Sequence, residues 1–460
     1  MNIAGTKTIT EPAREIKVCR EADVIVVGGG PGGIGAAVSA ARNGADTVLI
    51  ERYGHLGGMA TGGLVTIIPN LTDINGKQQI AGICQEWIDR LDVKGAAGYP
   101  PKELWGSPDK DLVKDYFNRI FFFVRQNRVC LSVTVDAEIL KCVLNDMIEE
   151  SRIKAYLHSW VVMPIMEGKA VKGVIFESKS GRQAVLGKVV IDATGDGDLL
   201  PYAGAEFETD VPPSFRVANL ALCFWIGNVD LKKAEEFKSL HPEQFVQQSQ
   251  ELTSLGGYPT FLKSNLKSQD TLVWFHNKFA NSSQTDVEEL TRVEFEGRKK
   301  MLVTFDYRKK HTPGFENSFI ALTAPQLGTR GSRRVIGEYR LTKEDLTSEK
   351  IFEDTIAILP DLDRGEASAK HPLMYVPYRS LVPRGVDNLL VACRAFSSDA
   401  VVQEYFNLIP HCIAYGEAAG AAAALAVKNG VKVKDVGVGQ LQRLLASQGV
   451  ILPRMMNARI

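Results

Sequence analysis

Between Ala22 and Glu51 the chain reads ADVIVVGGGPGGIGAAVSAARNGADTVLIE, and no other stretch restricts the fold as much. Val24 to Val27 form an apolar run, which predicts a buried strand of a parallel sheet. Gly28, Gly30 and Gly33 then occupy the three glycine positions of G-x-G-x-x-G. In that spacing the first glycine makes the tight turn, the second admits a pyrophosphate, and the third seats the following helix against the sheet. That helix would offer free N–H groups and the positive end of its dipole to a phosphate. Ala37 extends the small-residue face, Gly44 falls where the helix should end, and Val48 to Ile50 predict a second buried strand closing on Glu51. A carboxylate at that strand end accepts hydrogen bonds from both hydroxyls of an adenosine ribose. These spacings together point to a dinucleotide.

At 460 residues the chain exceeds the usual single-core limit of about 250 to 300 residues, so two domains are expected. Lysine plus arginine equals aspartate plus glutamate, 54 against 54, which leaves no net field to draw in nucleic acid or an anionic membrane surface. The seven cysteines make no C-x-x-C pair and suit reduced thiols in a cytoplasm. The first twenty residues contain no apolar run of the signal-peptide kind, and AAGAAAALAV near the other end is short of the ~20 residues a bilayer requires. A soluble, cytoplasmic protein is expected, and a homo-oligomer is left open.

Residues 1–20 read as a polar lead-in crossing the surface. A glycine-rich segment, RYGHLGGMATGGLVTIIPN, follows Glu51 and lets backbone pass close to a bulky planar ligand. Residues 80–127 read as helical with a break at Tyr99 to Pro101, and TVDAEILKCVLNDMIEESRI as an amphipathic helix. Residues 155–191 alternate as short strands with turns at Glu167-Gly168 and Ser180-Gly181, ending directly before DATGDGD. The composition changes between about 206 and 380, with more aromatics and charge. NLLVACR then predicts another buried strand, and IAYGEAAGAAAALAVKNG a close-packed helix stopped by Gly430, with a shorter helix in the tail.

The turn motif alone accepts NAD or FAD. Three features favour FAD: the glycine-rich segment after Glu51, the tight Ala193-Thr194-Gly195 turn, and a helix starting near Pro410-His411 whose N-terminus could face the flavin N1 and C2 carbonyl.

The fingerprint, LGGMATGG, IDATGDGDLLPYAGAEFE, GTRGSRRVIGEYRLTKEDL, YVPYRSLVPRGVDNLLVACR and AYGEAAGAAAALA together resemble the bacterial FAD-dependent oxidoreductase family related to the fumarate reductase and succinate dehydrogenase flavoproteins. The resemblance runs from about residue 20 to the end. It implies that Gly28, Gly30, Pro31, Gly32, Gly33, Glu51, Arg52, Gly58, Met59, Thr61, Thr194, Gly195 and Asp198 line FAD, with Arg394, Ile409 and Cys412. The histidine and arginine that hold a dicarboxylate in fumarate reductases have no counterpart in SSDAVVQEYFNLIPH, which points away from a dicarboxylate. His55 lies near the second glycine-rich loop but outside the register of a covalent flavin link.

Asp192, Asp196 and Asp198 lack the order of a calcium loop and read as turn and cap carboxylates; no metal site is expected. Arg334 and Glu338 would form an i, i+4 pair if helical, or else Arg333 or Arg334 would turn inward onto substrate or cofactor. On the strand read from HPLMYVPYRS, Tyr375, Pro377 and Arg379 share one face and Val376, Tyr378 and Ser380 the other. Tyr378, Arg379, Tyr405 and His411 are the candidates for proton transfer on the substrate side.

The sequence therefore predicts an α/β chain: a discontinuous Rossmann-like FAD-binding domain of parallel sheet and helices (1–205 and 381–460) with a smaller mixed α+β substrate or cap domain (206–380). The expected activity is hydride transfer between flavin N5 and a carbon centre of a small organic substrate, with a diffusing electron donor or acceptor. A non-catalytic flavin-binding redox partner and an NAD(P)-dependent dehydrogenase are the alternatives.

Overall fold

The strand β1 (Lys17–Val27), helix α1 (Pro31–Arg42) and strand β2 (Thr47–Ile50) form the βαβ opening in a computed structural model describing residues 8–360 and 373–453. β1 begins before the apolar run. Lys17 to Ala22 already pair with Gln183 to Gly187, so the end of the lead-in is strand and not a surface crossing. Its side chains stay partly exposed there, whereas Val24 to Val27 are buried; only the second half carried a hydrophobic signal.

The stretch read as helical over 80–127 is two helices, α2 (Ile83–Val93) and α3 (Lys110–Arg119). Prolines 100, 101 and 108 break the interval, and a small hairpin pairing Val124–Arg125 with Arg128–Val129 ends it. Helix α4 (Ala137–Glu150) starts at Asp136, whose side chain accepts from the N–H groups of Glu138 and Ile139, and buries Leu140, Val143, Leu144 and Met147. Strands β3 (Lys154–Tyr156), β4 (Trp160–Glu167), β5 (Ala170–Ser178) and β6 (Gly181–Asp192) complete a sheet ordered β3-β2-β1-β6-β5-β4. β3, β2, β1 and β6 run parallel, β5 and β4 antiparallel. The strand Leu389–Val391 adds in parallel to the last three residues of β6.

A second sheet is built on β7 (Leu220–Gly227), flanked antiparallel by β8 (Val273–Phe279) and, beyond the long helix α5 (Val287–His311), by β9 (Phe319–Thr323). Alternation decides its two faces. Phe224, Ile226, Val273 and Phe275 pack in one cluster with Met301 of α5, and Asn277 donates to the Gly297 carbonyl at 2.9 Å.

The chain then forms an antiparallel pair, β10 (Thr355–Pro360) and β11 (Leu373–Pro377), separate from the main sheet. His371 and Pro372 of the predicted strand lie outside the described residues. Tyr378–Leu381 is a 3₁₀ turn, so the alternation predicted through Ser380 ends at Pro377. After β12 (Leu389–Val391) come α6 (Ile409–Asn429), stopped by Gly430 in the left-handed conformation (φ +64°), and α7 (Val438–Ser447).

Helices α1 and α6 cross backbone to backbone. A Cβ on Gly416 would sit 2.0 Å from the Gly32 carbonyl oxygen, and one on Gly420 2.2 Å from that of Ala36. Beside this crossing Glu417 is 3 % exposed, and its Oε2 accepts from the Ile83 N–H at 3.0 Å. Burial pushes its carboxyl from 4.5 to about 7, only partly opposed by that N–H. A carboxyl with a raised folded pKa stabilises fully below its unfolded value and loses that contribution as pH rises through the folded one. Relative to Glu417→Gln, the wild type should lose about 3 kcal/mol of unfolding free energy between pH 4.5 and 8. Parallel stability profiles for the two proteins in denaturant titrations would contradict this burial.

Candidate active site

Gly28 makes the turn after β1 with φ +99°, and a Cβ there would fall 2.5 Å from the Ala193 carbonyl oxygen. Gly32 and Gly33 are equally closed: added Cβ atoms would lie 2.0 Å from the Ala392 oxygen and 1.7 Å from the Gly28 oxygen. Gly30 is different. The nearest atom to its missing Cβ is Gly58 Cα at 4.0 Å, so the space over Gly30 is open. No side chain caps α1, leaving its first-turn N–H groups for a ligand. This is the cradle a diphosphate requires.

To one side of the turn lies a small cleft lined by Gly28, Glu51, Arg52, Trp160, Thr194 and Asp198. Glu51 accepts the Gly29 N–H on Oε2 at 2.5 Å and the Tyr53 N–H on Oε1 at 2.8 Å. These bonds fix the carboxylate while each oxygen keeps a second lone pair for a ribose hydroxyl. The Arg52 guanidinium lies 5.0 Å over both the Tyr53 and Trp160 rings and walls the cleft. Asp192 accepts from the Thr194 and Leu199 N–H groups at 3.1 and 3.0 Å, and the Thr194 hydroxyl accepts from the Asp198 N–H at 3.0 Å. Asp192 thus holds the turn, whereas the Asp196 and Asp198 carboxylates accept from Arg394 and Arg333. Burial, with Asp196 and Asp192 nearby, pushes Asp198 up to about 6.

On the other side opens a cavity of about 1280 Å³. Pro31, Met59 and Arg394 line it beside the glycine turns, as do Ile409 and Cys412 from the first turn of α6. Its far wall is the open face of the second sheet, with Cys223 from β7 and Trp274, His276 and Lys278 from β8, spaced by two as one strand face requires. The turn lies between cleft and cavity, since Gly28 lines one and Pro31 the other. An elongated dinucleotide fits this plan: adenosine at Glu51, diphosphate over Gly30, ring system in the cavity.

Of the sequence-predicted residues, Gly28, Glu51, Arg52, Thr194 and Asp198 line the cleft, and Pro31, Met59, Arg394, Ile409 and Cys412 the cavity. Gly58 closes on Gly30, and Gly195 (φ +94°) packs against the Arg394 guanidinium, which donates to Asp196 at 3.0 Å. Thr61 does not face either space: it is fully buried and its hydroxyl donates to the Leu56 carbonyl at 2.5 Å.

The four proton-transfer candidates are not among the lining residues. His411 is fully buried, 5.4 Å from the Phe406 ring, because one residue along a helix turns it away from the side on which Cys412 lines the cavity. Burial pushes its imidazole down to about 3. The Tyr378 hydroxyl donates to the Val433 carbonyl at 2.7 Å, and Arg379 is held by Asp354 at 2.9 Å. Tyr405 lies under the Arg216 guanidinium, 5.9 Å from it, and Arg216 is the one that lines the cavity. Arg334 is not helical. It is buried against Asp210 and Glu208 at 2.8 and 3.1 Å, while Arg333 turns the other way onto Asp198 at 3.1 Å.

Sequence reasoning missed the sheet wall. LVWFHNKF alternates about Trp274, His276 and Lys278, and that period was the available signal. Arg330 also lines this wall, two residues after Gly328 of the strand pairing with β7. Burial, then Lys278 and Arg330, pushes His276 down to about 3, so its imidazole is neutral. The buried His276 Nδ1 has no hydrogen-bond partner among the described residues.

A search of curated proteins finds no match for the chain. Among solved structures it is similar to a geranylgeranyl bacteriochlorophyll reductase-like protein from Thermoplasma acidophilum, with 15% identity, TM-score 0.46, and coverage of 93% of this chain and 83% of that one. A p-nitrophenol 4-monooxygenase from Pseudomonas putida is 11% identical with TM-score 0.45 over 94% and 89% of the two chains. A myxobacterial FAD-dependent chondrochloren halogenase is 14% identical with TM-score 0.43 over 93% and 78%. The model of the FAD dependent oxidoreductase family matches residues 23–445, nearly the whole chain. That match places the chain in the FAD-dependent oxidoreductase family, and its cofactor is FAD.

Proposed function

We propose that this enzyme transfers a hydride between FAD and a carbon centre of a small organic substrate, as C=C reduction or its reverse, or as alcohol oxidation. One observation carries the reading: a single cavity reaches from the residues beside the phosphate turn, Pro31 and Met59, to the open face of the second sheet. Bound FAD supplies a two-electron donor or acceptor at its N5. The chain's own residues do the remaining work. Trp274 and Leu262 shed water from the substrate's surface, and the neutral His276 imidazole offers its Nδ1 edge to a substrate oxygen. The N-terminus of α6 brings uncapped N–H groups to the cavity, where they favour developing negative charge.

Residues 1–205 and 381–460 hold the cofactor in this reading, and the sheet within 206–380 covers the substrate. The chain contains one G-x-G-x-x-G, so electrons are exchanged with a diffusing donor or acceptor. Kinship with fumarate reductase flavoproteins is read from the motifs alone, and a dicarboxylate is not proposed.

Denaturing the purified protein should release FAD, and substrates should reoxidise or reduce the bound flavin in an anaerobic panel. FAD release with no response across enes, enones and alcohols would favour a non-catalytic redox partner. No flavin in the purified protein, and none taken up, would remove the proposal.

A further inference from the structure

Arg394 follows β12 at the point where the chain closes on the phosphate turn, since the Ala392 carbonyl oxygen lies 2.0 Å from where a Cβ on Gly32 would stand. Its side chain is held from both halves of the site. Nη2 donates to Asp196 at 3.0 Å, in the turn that follows β6, and to the Thr329 hydroxyl, on the strand paired with β7. A Cβ on Gly195 would fall 2.5 to 2.6 Å from Nη1, Cζ and Nη2 alike, so the guanidinium lies with its face against that glycine. The main chain is fixed as well, the Arg394 carbonyl accepting from Gln403 Nε2 at 2.9 Å.

This ion pair has a direction. Arg394 lines the cavity together with Pro31, Met59, Ile409 and Cys412, whereas Asp196, 5 % exposed, lines neither the cavity nor the cleft. The carboxylate stands behind the guanidinium, where it also accepts from the Ser332 hydroxyl at 2.9 Å. Burial opposes the charge on Arg394, but Asp196 and then the Cys393 and Cys412 thiols hold the guanidinium above its ordinary value. A buried pair with its positive end towards the cavity is a fixed dipole, and it is felt more strongly there than in water.

We propose that Arg394 is the fixed positive charge that sets the reduction potential of the bound flavin, with Asp196 behind it as the moderating counter-charge. This rests on the placement of the FAD ring in the cavity. A hydride received from the substrate carbon brings the ring two electrons and one proton, and therefore one added negative charge. A cation facing the ring favours that reduced form, and the N-terminus of α6 acts in the same sense. Loss of the charge makes the oxidised cofactor a weaker hydride acceptor and the reduced cofactor a stronger donor.

Flavin-loaded variants, equilibrated anaerobically with a reference dye of known potential, report the ratio of oxidised to reduced flavin by absorbance. Arg394→Gln should shift that ratio about tenfold or more towards oxidised flavin, ~30 mV for a two-electron couple, and Arg394→Lys should stay near the parent. Asp196→Asn should shift it the opposite way, because the cation remains without its counter-charge. The double variant Arg394→Gln/Asp196→Asn should fall between the parent and Arg394→Gln. Shifts of one sign in Arg394→Gln and Asp196→Asn, no shift in either, or an Arg394→Lys that matches Arg394→Gln would each overturn the inference. Where Arg394→Gln does not accumulate, because Asp196 is left buried and unpaired, the double variant and Asp196→Asn decide: they must fall on opposite sides of the parent. FAD released on denaturing the same batches keeps the two readings apart. Flavin present with unchanged ratios refutes the role of Arg394 alone, whereas a parent without flavin refutes the placement of the cofactor.

Discussion

Gly30→Val should fold with the stability of the parent and release no FAD on denaturation. The open space over Gly30, with no atom nearer than 4.0 Å to an added Cβ, is available to a side chain, and Gly30 holds an ordinary negative φ of −72°. The valine methyls then occupy the volume a diphosphate needs to reach the N–H groups of α1. Gly33→Ala makes the opposite contrast. Its Cβ would fall 1.7 Å from the Gly28 carbonyl oxygen, a backbone atom that cannot move aside as a side chain could. The cost should exceed the usual overpacking range of about 1 to 3 kcal/mol, and the variant should melt early or fail to accumulate. Flavin content and circular-dichroism melting measure both. A Gly30→Val protein with full FAD content would disprove the phosphate contact, whereas loss of fold in that variant would disprove the open space.

The second large effect is expected at the helix crossing. Gly416→Val places branched carbon where a Cβ alone would lie 2.0 Å from the Gly32 oxygen, so α1 and α6 must separate. Separation opens the core shared by both helices and tilts the N-terminus of α1 away from its phosphate position. We expect a loss of about 4 kcal/mol or more, with weakened FAD retention at temperatures where the protein is still folded. Gly439→Ala in α7 is the control: its nearest contact is the flexible end of Arg443 at 3.4 Å, and replacing this first-turn glycine should stabilise by at most about 0.5 kcal/mol. Equal melting temperatures for Gly416→Val and the parent would rule out the backbone crossing.

The opening βαβ unit, the hairpin turns at Gly168 and Gly181 and the Gly430 stop were all legible because each depends on local chemistry: an apolar run, a positive φ, a helix end. Gly28, Glu51, Arg52, Thr194 and Asp198, each set by a local turn or strand end, come together in one cleft. The sheet wall of the cavity was not legible. His276 and Lys278 face the cavity only because β8 pairs with β7, whose opposite face is taken by α5, and nothing in eight residues states which face a distant helix will cover. His411 failed for the complementary reason: its place in the sequence beside the α6 N-terminus was right, but the rotation of one residue along the helix sends it into the core. Arg334 read as pairing with Glu338 on a helix or as turning inward onto substrate or cofactor, and not as bound by Glu208 and Asp210, because those carboxylates come from a segment more than a hundred positions earlier.

The contact between α1 and α6 also fixes an order of events during synthesis. Gly32 meets Ala392 and Cys412, so this turn is completed by residues far later in the chain. The opening segment therefore stays partly uncovered until the stretch from Ala392 to Cys412 has emerged.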